Sequence, residues 1–244
     1  MQSTTPDQRV ILISGANKGI GRAVAAALAS DALVYVGARD VRSAERAVSE
    51  LREAGGSARA IALDVTDAGS IGRAVYQLRR ETKRLDVLIN NAGILADSGD
   101  PSETSLDAVR ACYEVNVFGV IALTHALLPL LRLAPQPRIV NVSSGLGSLT
   151  LRSTPGHFYS NINGLGYMSS KSALNAITVC FSQELAPAGF KVNAADPGYT
   201  ATDLNGFTGP RTVEQAATVI VRLANLPADG PTGGFFNEDG AVPW

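Results

Sequence analysis

The chain is 244 residues long and 45% hydrophobic, a size and apolar mass that suit one large α/β domain with a full core. Its net charge of −1 argues against nucleic acid or an anionic membrane surface as the main partner. The leading MQSTTPDQR is polar, without the apolar segment of a secretion signal, and the longest apolar stretch, Val117 to Leu131, is short for a spanning helix and interrupted by Pro129.

From there the elements alternate. Residues 9–14, 33–38, 58–63, 86–90, 138–143 and 191–195 read as short strands, nearly continuous in apolar residues, as expected when both faces of a parallel sheet are covered. Between and after them, helical patterns run over 20–30, 42–54, 70–82, 106–133, 167–188 and 213–224. This rhythm predicts an α/β, doubly wound parallel sheet with helices on both faces, a single-domain Rossmann fold covering residues 1–244.

After the first strand comes SGANKGIGRAVAAALA, with Gly15, Gly19 and Gly21 spaced G-x-x-x-G-x-G. Glycines let the backbone turn sharply against a pyrophosphate, and the helix opening near Gly19 points its amides at that anion. Asn17, Lys18 and Ile20 belong to the same turn. The second strand ends in GARD, which puts Arg39 where a site for NAD usually has an acid to hold the ribose 2′-hydroxyl. Arg39 and Lys18 together suit a 2′-phosphate, so NADPH/NADP+ is the expected cofactor. Asp40 is the competing acceptor, though along an extended segment it points away from Arg39.

Residues 145–166, rich in Gly, Ser, Thr and Asn, break the rhythm. A connection this long, after the carboxyl end of a strand, is expected to be functional or mobile. It leads into Tyr167 and Lys171, one helical turn apart on one face. A fixed ammonium beside a phenol favours the phenolate, so Lys171 is expected to bring the Tyr167 pKa down from about 10.

These segments, taken in register, resemble the short-chain dehydrogenase/reductase family over nearly the whole chain. SGANKGIG, Asp64 in LDVTD, NNAG at 90–93, Asn116 in EVNVFG, VNVSS at 140–144, the Tyr167/Lys171 pair and PGYTAT at 197–202 carry the resemblance. ANKGIG, ARD and the ending GGFFNEDGAVPW point to its carbonyl reductase-like branch. The resemblance implies reduction of a ketone or aldehyde, with Tyr167 as general acid and Ser144 bonding the substrate oxygen. It implies Lys171 tuning Tyr167 and binding the nicotinamide ribose, and Asn116 holding a water in the proton relay. Asp64 would contact the adenine, with Val65 beside it among the cofactor-binding residues, Asn90, Asn91, Ala92 and Gly93 would line the cofactor, and Pro197, Gly198 and Thr202 would seat the nicotinamide. Of the adjacent serines, which strand alternation sends to opposite faces, the family motif selects Ser144 over Ser143.

Ser14 stands where the family usually has Thr, and the 145–166 segment is longer than in most members but shorter than in monomeric carbonyl reductases. Whether the chain is a homo-oligomer, dimer or tetramer, is left open. The short reach from Thr202 to the next helix predicts an open pocket for a small-molecule substrate. His125 is expected in the core or an interface and His157 in solvated loop, and no Cys, His and carboxylate spacing suggests a metal site. Cys112 and Cys180 read as free, buried thiols, consistent with the cytoplasm. A catalytically silent NADPH-binding sensor or scaffold is the alternative. A sugar-nucleotide epimerase or dehydratase shares the Tyr/Lys pair but needs a further C-terminal domain.

Overall fold

The computed structural model describes residues 8–97 and 99–244; the polar stretch 1–7, most of the leading segment read above, lies outside them. The strands are β1 (Arg9–Ser14), β2 (Ala32–Ala38), β3 (Ala58–Ala62), β4 (Val87–Asn90), β5 (Arg138–Val142), β6 (Lys191–Ala195) and β7 (Phe235–Phe236). They form one parallel sheet in the order β3-β2-β1-β4-β5-β6-β7. The order reverses between β1 and β4, and the carboxyl ends of those two strands frame the crevice where such sheets take ligands. Only β7 was absent from the sequence reading, because two residues carry no period.

Strand alternation splits the core in two. Ile11, Ile13, Val34 and Val36 face α1 (Gly19–Leu28), α2 (Val41–Glu53) and α8 (Val213–Ala224). Leu12, Tyr35, Leu88 and Ile139 face the other side, with α3 (Ala68–Glu81), α5 (Gly119–Leu131) and α7 (Leu165–Leu185). A Cβ on Gly119 would come within 2.8 Å of Val65 Cγ2, so glycine lets α5 lie close to the end of the third strand.

The stretch expected as one helix over 106–133 is continuous but not uniform. It runs as α4 (Leu106–Tyr113), a π-helical turn (Glu114–Phe118) and then α5. At 26 residues and a mean hydropathy of 1.6 in its most apolar window, it exceeds the short apolar stretch read from sequence and is long enough to cross a membrane. Pro129 lies in its last turn and does not break it. Leu123, Leu127, Leu130 and Leu131 are buried in the core against the sheet.

Residues 145–166, read as a loop, fold into a short turn at Gly145–Gly147, α6 (Leu149–Ser153) and a second turn at Phe158–Asn161. The C-terminus holds this segment: Ser148 Oγ donates to Pro243 O (2.6 Å), and Thr150 N to Trp244 O (2.9 Å). Trp244 in turn stacks on Phe235, ring centres 5.5 Å apart.

Candidate active site

At the carboxyl end of β1 the backbone is shaped by steric necessity. Gly15 and Gly19 have φ of 64° and 57°, and a Cβ on Gly15 would lie 2.9 Å from Ala92 Cα. A Cβ on Gly21 would lie 2.4 Å from Asn91 Nδ2, the amide that bridges Ser14 O and Gly15 O at 3.0 Å each. Ser14 Oγ accepts from Asn91 N and Ala92 N at 3.1 and 3.0 Å, so the hydroxyl in the usual threonine position ties β1 to β4.

Asp40, Asp67, Ser105 and Thr212 cap α2, α3, α4 and α8 with their side chains. By contrast, α1 opens with no side-chain cap and no acid in its first turn. Its free N–H groups, behind a glycine turn, are a ready anion site. The residues therefore fit the pyrophosphate of a dinucleotide. Ile20, in the first turn of that helix, is half-buried against the core, and Thr202 lies beside the turn, its Cγ2 3.7 Å from a Cβ built on Gly19.

At the adenosine end, Asp40 accepts from Arg42 N (3.1 Å) as the cap of α2. Asn17 donates to Ser43 Oγ (3.1 Å), tying the turn to α2. Asp64 Oδ1 accepts from Thr66 N and Oγ1 at 2.9 and 2.7 Å; these bonds, with a smaller contribution from Arg39, lower its pKa. Val65 is buried against Gly119. Lys18 departs from expectation. Expected with Arg39 at the ribose, it forms an ion pair with Asp203, on the turn after Thr202.

The catalytic candidates meet at the ends of β5 and α7. Ser143 and Ser144 diverge: Ser143 Oγ donates to Asn175 Oδ1 (2.6 Å) inside the protein, while Ser144 faces the Tyr167 phenol. Burial pushes Tyr167 up to about 12, with Ser144 acting in the opposite direction. Lys171 Nζ stands 5.6 Å from the Tyr167 ring centre and donates to Val142 O (2.8 Å), and burial lowers its pKa to about 8. The downward shift expected for Tyr167 is thus not found: burial raises its pKa instead. The ammonium is held on a carbonyl, and desolvation dominates both groups.

Asn116, on the π-helical turn, is also more constrained than expected. Its Oδ1 accepts from Ile94 N (2.9 Å), and its Nδ2 donates to Ile94 O and Ser170 Oγ at 3.0 Å each. What is left for a water is the second lone pair of Oδ1. A Cβ on Gly93 would lie 3.3 Å from that oxygen and 3.5 Å from Lys171 Nζ, so both converge over Gly93. Asn90 turns away from the cofactor crevice. Its Nδ2 donates to Asn141 Oδ1 (2.8 Å) and Thr124 Oγ1 (3.3 Å), in a buried ladder that Asn141 extends to Thr178.

Three acids and phenols escaped the sequence reading. Asp97 accepts from Gly166 N (2.8 Å) and Tyr167 N (3.0 Å), capping α7 and setting the backbone of Tyr167. A helix opening on Gly164, with no capping side chain of its own, was the available signal. Asp196 is buried, and Oδ1 accepts from Gly198 N (3.0 Å), which supports the left-handed turn at Gly198 after Pro197. Burial raises its pKa. An acid directly after a buried strand was the clue. Tyr159, from the turn at Phe158–Asn161, is the third, and with Asp196 and Cys112 it is among the groups that push the Tyr167 pKa up.

His125, expected in the core or an interface, is exposed, with its ring edge-on to Phe181, and His157 Nδ1 accepts from Tyr159 N (3.1 Å), capping its own turn. Cys112 is buried but Cys180 is exposed, unlike the pair of buried thiols expected. Among the described residues, no group of three or more His, Cys, Asp or Glu could hold a metal ion.

A glycine turn before an uncapped helix, at a switch point whose other wall presents a serine, a tyrosine and a lysine, defines a dinucleotide-dependent oxidoreductase. The chain belongs to the short-chain dehydrogenase family, whose profile matches residues 9–212. It is 40% identical over 222 residues to short-chain dehydrogenase anuI of Penicillium roqueforti, covering 88% of each chain. It is similar to NADPH-bound carbonyl reductase from chicken fatty liver, with 29% identity and a TM-score of 0.84 over 97% of this chain and 99% of that one. It is also similar to 3-ketoacyl-(acyl-carrier-protein) reductase from Brucella melitensis complexed with NADH, at 26% identity and a TM-score of 0.83 over 96% and 98%. The family binds a nicotinamide cofactor and acts on small molecules.

Proposed function

We propose that the protein is an NADPH-dependent carbonyl reductase, reducing ketones and aldehydes to alcohols with Tyr167 as the proton donor. The observation that carries this reading is the meeting of Ser144, Tyr167 and Lys171 beside Gly93, at the end of the crevice opposite Arg39. When bound, the dinucleotide supplies a hydride to the carbonyl carbon. The protein's part is charge and protons. Ser144 donates a hydrogen bond to the substrate oxygen as negative charge grows there. Tyr167, protonated at neutral pH because burial holds its pKa high, gives that oxygen its proton. Lys171, with a pKa of about 8, exchanges protons readily near neutrality, and its ammonium steadies the phenolate left behind. Asn116 Oδ1 offers a water its place over Gly93, beside Lys171 Nζ.

Arg39 supports NADPH over NADH, since Asp40 is engaged as a helix cap and the cation beside Asp64 suits a 2′-phosphate. Exposed Phe158, Leu204 and Phe207 support an open, apolar approach for bulky substrates. The chain's working place, on this reading, is the cytoplasm. Oxidation of NADPH and NADH is followed with a panel of ketones, aldehydes and quinones. Turnover with a larger kcat/KM for NADPH is expected. Binding of NADPH without turnover of any carbonyl makes the protein a sensor or scaffold instead.

A further inference from the structure

Tyr159 is a phenol that the reduction just described does not use, placed within one residue of its centre. A Cβ built on Gly145, next to Ser144, would lie 2.4 Å from Tyr159 Cε2, 2.7 Å from its hydroxyl and 2.8 Å from Asp196 Oδ2. The Cε2–hydroxyl edge of the ring therefore occupies the space a side chain at position 145 would need, with the hydroxyl beside the Gly145 backbone and the Asp196 carboxylate close by. Tyr159 is half-buried, and its hydroxyl makes no hydrogen bond to any of the described residues. Asp196 is engaged elsewhere, accepting from Gly198 N and held at the Gly145 backbone. Its carboxylate makes no bond to the phenol.

The turn that carries Tyr159 is not adrift. His157 caps it, the rings of His157 and Phe158 pack on Tyr159 at 5.1 and 5.6 Å, and the C-terminus pins α6 just before it. The phenol is thus fixed with a free donor. Burial and the Asp196 charge push its pKa up to about 12, so it is a donor at every working pH.

Resting on the reductase reading, we propose that Tyr159 is a substrate-binding residue that selects carbonyl compounds carrying a second oxygen acceptor close to the reacting C=O. Ser144 and Tyr167 take the reacting oxygen. A neighbouring hydroxyl, keto or ester oxygen accepts from Tyr159. A hydrocarbon substituent in the same place strips water from the phenol and returns nothing, and sites built to hydrogen-bond reject such analogues.

The test compares ethyl acetoacetate with 2-heptanone, a ketone of the same chain length without the ester group, in wild type and in Tyr159→Phe, which keeps the ring beside Gly145. A keto ester is intrinsically more reactive than a plain ketone, so the quantity read is the change in the kcat/KM ratio between the two proteins, where intrinsic reactivity cancels. The ratio is expected to fall at least about fivefold, chiefly through the KM of ethyl acetoacetate, the equivalent of one neutral hydrogen bond. A smaller change overturns the proposal; an equal loss for both substrates does so too, and assigns Tyr159 to packing alone. A wild type that turns over no carbonyl at all removes the reductase reading and this proposal with it, an outcome distinct from an active enzyme with an unchanged ratio.

Discussion

The two ends of the crevice are built on different principles. The turn between β1 and α1 works through backbone: positive φ at Gly15 and Gly19, no room for a Cβ at Gly15 or Gly21, and helix amides without a cap. The opposite end works through buried side chains, with Tyr167 and Lys171 moved in opposite directions by the same loss of water. A backbone site is fixed by sterics and reads directly as glycine spacing. A side-chain site takes its chemistry from burial, which spacing does not record. Tyr167 and Lys171 sit one turn apart as expected, yet the phenol in this state is a weaker acid than free tyrosine, not a stronger one.

The comparison breaks most sharply at Tyr167. Tyr167→Phe removes the proton donor and leaves the glycine turn and α1 untouched. The expected result is a fall of about two to four orders of magnitude in kcat, with NADPH affinity by fluorescence titration changed little. If full turnover survives the loss of the hydroxyl, the proton comes from elsewhere and the side-chain end is misread.

Lys171 gives the next largest effect, and it concerns stability. Its pKa is about 8 in the folded chain against an ordinary 10.5. Between those values the unfolded chain still holds the proton that the folded chain has lost. Stability therefore rises as pH climbs from about 8 to about 10.5, by at most about 3 kcal/mol. Tyr167 acts the other way above pH 10, where the unfolded phenol ionises before the folded one near 12, and stability falls. Urea melts between pH 7.5 and 10 are expected to show the rise in wild type and lose it in Lys171→Met. A flat wild-type profile would mean that water reaches the ammonium.

The same contrast explains what the sequence made legible. Six strands and the parallel sheet followed from apolar runs such as RVILIS and DVLIN, because burial on both faces writes itself into composition. β7 did not, since Phe235 and Phe236 pair with Ala194 and Ala195 over two residues only. The NNAG segment reads as one unit lining the cofactor, but Asn90 is the last residue of β4. Two positions after Leu88, it points to the same face, toward Thr124 of α5 and, through Asn141, Thr178 of α7. Asn91, one step on, points to the cofactor turn. Asp97 and Tyr159 lay in connections whose conformation depends on distant partners, α7 for one and the C-terminus for the other. No local period could place them.

Arg39 sharpens the backbone end, where one side chain is asked to choose the cofactor. Arg39→Ala is expected to lower kcat/KM for NADPH by about tenfold to a hundredfold, the range of a hydrogen-bonded charge contact. The value for NADH should hold within about twofold. Equal losses with both cofactors would place Arg39 on a part of the dinucleotide they share, and the preference for the phosphorylated form would need another cation.

The smallest effect decides the role of the neighbouring acid. Asp40 competes with Arg39 on sequence as the residue that meets the ribose, and an acid there would hold the 2′-hydroxyl of NADH. In the structure its carboxylate accepts from Arg42 N and closes the first turn of α2. A capping role predicts a cost in stability of about 1 kcal/mol for Asp40→Ala, read as a shift in urea midpoint. It also predicts that Asp40→Asn, which still caps, restores that stability. Ribose recognition predicts the opposite pattern: little change in the melt, and a selective rise in KM for NADH that Asn does not repair. The two outcomes share no readout, so one pair of variants separates a helix cap from a cofactor ligand at adjacent residues.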